Sequence, residues 1–181
     1  ALGCVFCQNE KISHQDFGRA VTLPRLREIC KTLIRQGAHN LNFVNPTHYV
    51  HILAELLEEW HPPVPVVFNT GGYDNTDTLQ RLEGKVNIYL PDLKYLDRET
   101  ARRYSGASNY PETAQAAIRE MVRQTGPCQF DDNGLLLSGT IIRHLILPSQ
   151  VNQAKAVMDW VAGEFPPGTV LFSLMSQYTP W

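Results

Sequence analysis

Thr140–Pro148 reads TIIRHLILP, a run of apolar and β-branched residues stopped by proline, and it is the clearest buried strand in the sequence. A helical pattern follows over Val151–Phe165, and a further strand, TVLFSLM, over Thr169–Met175. Reading outward towards the N-terminus gives the same alternation. LPRLREICKTLIRQG offers Thr22 as a cap, Pro24 in the first turn, one face of Leu26, Ile29, Cys30, Leu33 and Ile34, and Gly37 as the stop. NLNFVNP is then a strand ending at Pro46. Val50, Leu53, Ala54, Leu57 and Trp60 mark a helix that Pro62 and Pro63 end. VPVVFNT is a strand to about Thr70, with a short helix near Thr76–Leu82. KVNIYLPDLKY gives a strand ending near Pro91, and Pro111–Gln124 a helix. CQFDDNGLLLSG has the form of a hairpin turning at Asn133-Gly134. Five strands joined through helices imply a parallel α/β sheet with right-handed crossovers.

The strand ends share a feature. Asn45-Pro46-Thr47, Asn69-Thr70-Gly71-Gly72, Asp92-Leu93-Lys94 and Ser176-Gln177 each follow directly on an apolar run. In parallel α/β folds the C-terminal edge of the sheet is where ligands bind, so these polar groups are expected to share one mouth.

The 181 residues suit one domain spanning 1–181, with 43% hydrophobic and 19% charged residues and a formal net charge of -2. That balance gives no general attraction for nucleic acid or anionic membrane, and no apolar run reaches the roughly 20 residues of a bilayer span. The start lacks the layout of a secretory signal, from which a cytoplasmic protein is expected.

The cysteines are Cys4, Cys7, Cys30 and Cys128, too few for a disulfide scaffold. Cys30 falls on an apolar helix stripe and Cys128 follows Gly-Pro; each reads as a packing thiol. Cys4 and Cys7 form a CxxC pair that admits three chemistries. A redox pair needs a strand before it and a helix beginning at the first cysteine. Structural zinc calls for two more Cys or His ligands nearby, with His14 the nearest histidine. An iron–sulfur cluster needs thiolates at a spacing set by the cluster.

The stretch LGCVFCQN resembles the cluster loop of radical S-adenosylmethionine enzymes, CxxxCxxC with an aromatic before the last cysteine. Cys4 and Cys7 match the second and third cysteines and Phe6 the aromatic; the first would fall immediately before Ala1. NPTHYV, NTGGYD, YLPDLKY, IIRHLILP and MSQY are similar, in order along the chain, to successive strand ends of the pyruvate formate-lyase activating enzyme-like subgroup. The resemblance implies a partial TIM-like (β/α) barrel with its first strand and the start of the cluster loop missing from the chain.

What the resemblance implies for chemistry is a [4Fe-4S] cluster held by Cys4, Cys7 and one further cysteine. S-adenosylmethionine would chelate the open iron and be cleaved reductively, giving methionine and a 5′-deoxyadenosyl radical. Phe6 would lie beside the adenine. Asn45 and Thr47 stand where relatives carry Gly-Gly-Glu for the methionine amino group. Asp92 and Lys94 match a D-x-K motif, with Lys94 towards the methionyl carboxylate or ribose. Asn69 and Thr70 match an Asp-Thr pair that assists a monovalent cation. Arg143, a charge inside a strand, is expected to point into the mouth or a buried ion pair; Gln177 would face the cofactor, and Tyr178 would line the opening. The implied partners are a substrate, either a glycyl radical enzyme's glycine or something else, and an external donor such as flavodoxin or ferredoxin. With two of three thiolates the chain alone is expected to be inactive. The rival expectations are a non-catalytic fragment, an α/β binding domain, or a zinc or redox CxxC protein.

Overall fold

A computed structural model of the chain describes residues 2–7 and 18–178. Helix α1 (Leu23–Arg35) starts where expected: Thr22 accepts from the Arg25 N–H at 3.4 Å, and Pro24 sits in the first turn. Of its anticipated apolar face only Cys30 is fully buried, and Leu33 is exposed. Strand β1 (Leu41–Val44) leads through a 3-10 turn (Pro46–Tyr49) into α2 (Val50–Glu59). Then come β2 (Val66–Thr70), α3 (Thr76–Gln80), β3 (Ile88–Pro91), α4 (Arg98–Ser105) and α5 (Tyr110–Thr125). The chain continues through β4 (Gln129–Phe130), β5 (Leu136–Leu145), α6 (Val151–Glu164) and β6 (Val170–Met175).

Among the described residues the sheet has six strands. Five are parallel neighbours in chain order, β1-β2-β3-β5-β6, and β4 adds an antiparallel arm on the start of β5. No pairing joins β1 to β6 among the described residues, so the sheet is open. The expected hairpin forms, but its second arm and the TIIRHLILP strand are one ten-residue element. Gly139 lies inside it with φ 140°, where Cys128 crosses: a Cβ would meet the Cys128 Sγ at 2.7 Å.

Register assigns the two faces. Phe43, Phe68, Tyr89 and Thr140 are laterally paired, and Ile142 pairs with Phe172. The fully buried strand residues of the two core clusters, Val66, Phe68, Tyr89 and Ile142, all share this parity. They pack under the helices: Leu53, Leu56, Leu57, Ala117 and Met121 in one cluster, and Ala114, Ile118, Val157 and Val161 in the other. Strands that follow one another in chain order with their helices on one side place the alternate residues on the opposite face. Asn69, Asp92 and Arg143 belong to that face.

Candidate functional site

The polar strand ends do gather at one edge. Asp92 continues β3 and bridges to Arg143 of β5 in parallel register, so the two side chains lie side by side. Arg143 Nη2 is 2.8 Å from Asp92 Oδ1 and donates also to Asn69 Oδ1 at 2.8 Å, spanning from β5 across β3 to β2. The other Asp92 oxygen accepts from Lys94 Nζ at 2.6 Å. Two cations thus share one carboxylate, and all three side chains are less than a quarter exposed. Arg143 Nε is buried with no hydrogen-bond partner among the described residues. Burial works against the Lys94 charge, but Asp92 and the sulfur of Cys4 together hold its ammonium above its ordinary range. This network of two cations and one carboxylate therefore carries excess positive charge, suited to an anionic group.

The backbone around this network is pinned by Tyr110, the first residue of α5 and fully buried. Its hydroxyl accepts from the Lys94 N–H at 3.0 Å and lies within bonding distance of the carbonyls of Gly71 (2.9 Å) and Asp92 (2.7 Å). Gly72, with φ 80°, passes so close that a Cβ would stand 2.1 Å from the Asp92 carbonyl oxygen. Burial pushes the Tyr110 hydroxyl well above its usual pKa, so it serves as a neutral strut.

A second group sits at the ends of β1 and β2. Thr47 donates to Asp74 Oδ1 and Thr70 to Asp74 Oδ2, each at 2.6 Å, and the two hydroxyl oxygens are 3.5 Å apart. The Gly72 N–H donates to Thr70 Oγ1 at 3.2 Å. Asp74 is 2% exposed. Burial raises its pKa, and the two threonine hydrogen bonds partly oppose that. Asn45 is exposed in the left-handed conformation (φ 50°), and its amide donates to the Asn69 carbonyl at 2.7 Å.

The loop of residues 2–7 lies against the same edge. The Gly3 N–H bonds the Ser105 carbonyl at 3.1 Å and the Val5 N–H the Tyr104 carbonyl at 3.0 Å, both at the end of α4. The Cys7 N–H returns to the Cys4 carbonyl at 3.2 Å, so the two thiols share one turn; both are half-buried. Leu2 covers Gly71, its Cδ1 standing 3.5 Å from where a Cβ on that glycine would lie, and Phe6 packs on the cluster containing Leu93 and Tyr110. Tyr178 joins that cluster too, and Gln177 follows β6 at the same end of the sheet.

The structure thus joins Asn69, Asp92, Lys94 and Arg143 in one network, and Thr47 with Thr70 in a second. Phe6, Cys4 and Cys7 lie on the overlying loop. Asn45 makes only a backbone bond within this set. His14 lies outside the described residues. Sequence reasoning did not single out Asp74 or Tyr110. The buried acid is visible as the one carboxylate of NTGGYD, and Tyr110 as an aromatic at a helix start.

For an iron–sulfur cluster the donor chemistry fits in part. Cys4 and Cys7 offer two sulfur ligands in one turn beside the Lys94–Asp92–Arg143 network. Among the described residues no group of three His, Cys, Asp or Glu side chains could hold a metal ion. Cys30 is buried on α1 and Cys128 packs on Gly139. No family model matches the chain. It is 28% identical over 188 aligned residues to an uncharacterized protein of Methanocaldococcus jannaschii; the alignment takes in 98% of this chain and half the length of that protein.

Proposed function

We propose that this chain is the S-adenosylmethionine-binding part of a radical enzyme of the activating-enzyme-like branch, built on a partial (β/α) barrel. Support for the barrel comes from five parallel strands in chain order with the core helices on one face and Asn69, Asp92 and Arg143 at the strand ends of the other. A doubly wound sheet would reverse its strand order. The observation that carries the functional reading is the docking of a CxxC turn over the Asp92–Lys94–Arg143–Asn69 network at the C-terminal strand ends.

Cys4 and Cys7 would hold the cluster with one further cysteine. The bound cluster supplies the electron that splits the sulfonium of S-adenosylmethionine, giving methionine and a 5′-deoxyadenosyl radical. The chain's own residues do the rest. Lys94 offers an ammonium to the methionyl carboxylate or the ribose, held in place by Asp92. Arg143, fixed by Asp92 and Asn69, adds to the positive field. Thr47 and Thr70 donate their hydroxyl hydrogens to Asp74, and Thr70 already accepts from the Gly72 N–H, so it is chiefly the Thr47 oxygen that is left to accept from a cationic amino group or to face a monovalent cation. Asp74 orients both hydroxyls. Leu2 and Phe6 help exclude water. The substrate would be a protein glycine or another hydrogen donor, and the electron would come from a flavodoxin- or ferredoxin-type partner.

The test uses the natural full-length protein, reconstituted anaerobically with iron and sulfide and reduced with dithionite. The expected result is 5′-deoxyadenosine by chromatography, abolished in Cys4→Ala and Cys7→Ala. A fully clustered, reduced sample that binds the cofactor and forms no nucleoside would leave the second reading, an α/β binding domain, which the presence of only two thiolates among the described donors favours. Iron-free protein that binds zinc tightly would point to the zinc reading.

A further inference from the structure

The open sheet leaves strand edges at β1, β4 and β6 unpaired among the described residues, and the first two are blunted. β1 is four residues long, and β4 is two residues long with an irregular register against β5. Short strands and bulges are ordinary means of keeping an edge from pairing with another chain. β6 has neither. It runs six residues, Val170–Met175, in unbroken register with β5. No proline interrupts it, and from Phe165 to Trp181 the sequence carries no charged residue and no histidine. None of its residues is buried, and Leu171 and Leu174 are exposed. The direction of its main-chain groups follows from the ladder. The Met175 carbonyl accepts from the Ile146 N–H at 2.9 Å, so Met175 turns towards β5. In a parallel strand alternate residues turn their N–H and C=O to opposite sides. Leu171, Ser173 and Met175 therefore serve β5, and the main-chain groups of Val170, Phe172 and Leu174 face the open side.

We propose that β6 is a self-association edge, on which a second copy of this chain lays its own β6 antiparallel about a two-fold axis at Phe172. The edge matches itself. About that axis Phe172 faces the partner's Phe172 and Val170 faces the partner's Leu174, so each outward donor meets an outward acceptor. The facing side chains are apolar and lie on one face of the joined sheet, where they pack across the seam. A strand carrying lysines or acids would bring like charges together there, and this one brings none. The pairing occupies both copies of β6, so the assembly closes as a dimer instead of growing. One strand seam buries less than the roughly 1,000 Å² of a stable interface, so the dimer is weak and forms with rising concentration. This proposal stands apart from the radical reading and does not depend on it.

The experiment is sedimentation velocity across a wide range of concentration on the natural full-length protein, as wild type, Leu174→Lys, Leu174→Pro and Phe130→Lys. Wild type should pass from monomer to dimer as concentration rises. Leu174→Lys puts a charge in the seam and should weaken the dimer by at least about tenfold. Leu174→Pro removes an outward N–H that β5 does not use, so it should weaken the dimer similarly while circular dichroism and the melting temperature report an intact fold. Phe130→Lys alters the exposed aromatic of the β4 arm and should leave the dimer unchanged. If Leu174→Pro does not fold, Leu174→Lys decides. A wild type that stays monomeric throughout overturns the proposal, as does a dimer that neither Leu174 variant weakens. A dimer lost in Phe130→Lys alone places the contact on the hairpin and overturns it too, and so does an assembly that grows past the dimer.

Discussion

The hydroxyl of Thr70 and the carboxylate of Asp74, four residues later, meet at 2.6 Å with the acid 2% exposed. With Thr47 on its other oxygen, Asp74 has hydrogen bonds but no cation bonded to it among the described residues. An acid in that state is costly to ionise, and this sets a pH dependence. Burial holds its folded pKa above the ordinary value of 3.8. From that ordinary value up to the folded one, the native state binds more protons than the unfolded chain, so this group lowers stability as pH rises through the window. Asp74→Asn removes the titration. Urea midpoints measured from about pH 4 to pH 8 should show the variant's disadvantage shrinking as pH rises. A constant difference across that range would mean that Asp74 titrates normally.

Gly72 and Gly84 both have positive φ, 80° and 74°, but only Gly72 faces a backbone oxygen where a Cβ would go. Gly84→Ala should cost about 1 kcal/mol, the ordinary cost of a left-handed alanine. Gly72→Ala adds a 2.1 Å collision with the Asp92 carbonyl and should cost at least about 3 kcal/mol, or fail to fold. Denaturant unfolding of the two variants side by side separates conformational strain from collision.

Among the described residues, Asp92 is the only carboxylate between Lys94 and Arg143 in the ion-pair network. Removing it leaves two partly buried cations facing each other, whereas removing Lys94 leaves Asp92 still paired to Arg143. Asp92→Ala should therefore destabilise by about 2–4 kcal/mol and Lys94→Ala by about 1 kcal/mol or less. In the clustered protein both should weaken S-adenosylmethionine binding by about ten- to a hundredfold, the loss of one charge-assisted hydrogen bond. Calorimetric titration beside thermal melts would check both; equal melts for the two variants would contradict the shared-carboxylate geometry.

The 181-residue chain by itself should take up iron poorly, because the described donors provide two thiolates where the proposed cluster needs three. Iron counting after anaerobic reconstitution is the measurement. A stable, full cluster on this chain would require a ligand beyond Cys4 and Cys7, with His14 the first to replace.

The strand ends were legible because each apolar run stops abruptly in polar residues, and that boundary is where a buried strand must leave the core. Helix α4 was not legible. RETARRYS buries only Ala101 and Ser105, so it has almost no apolar stripe, although Asp97 capping Thr100 and Gly106 closing the far end with φ 70° were there to be read. The unbroken β5 was not legible either: Gly139 lies inside it, where Cys128 passes, a contact from another strand connection. The pairing of Thr47 with Asp74 was equally out of reach: 27 residues separate them, and only the lateral placement of β1 beside β2 brings them together.

The seat of the CxxC turn on α4 joins positions 101 residues apart in the chain, Cys4 and Ser105. Closing a loop of that length costs roughly 4 kcal/mol of chain entropy, set against a few backbone hydrogen bonds and the burial of Leu2 and Phe6. Such a segment is a late arrival in folding and an early departure in opening. Its amides at Gly3 and Val5 should exchange with solvent through local detachment, well before those of β2 and β3. The N-terminal loop would then behave as a latch whose closure is governed by what it closes upon.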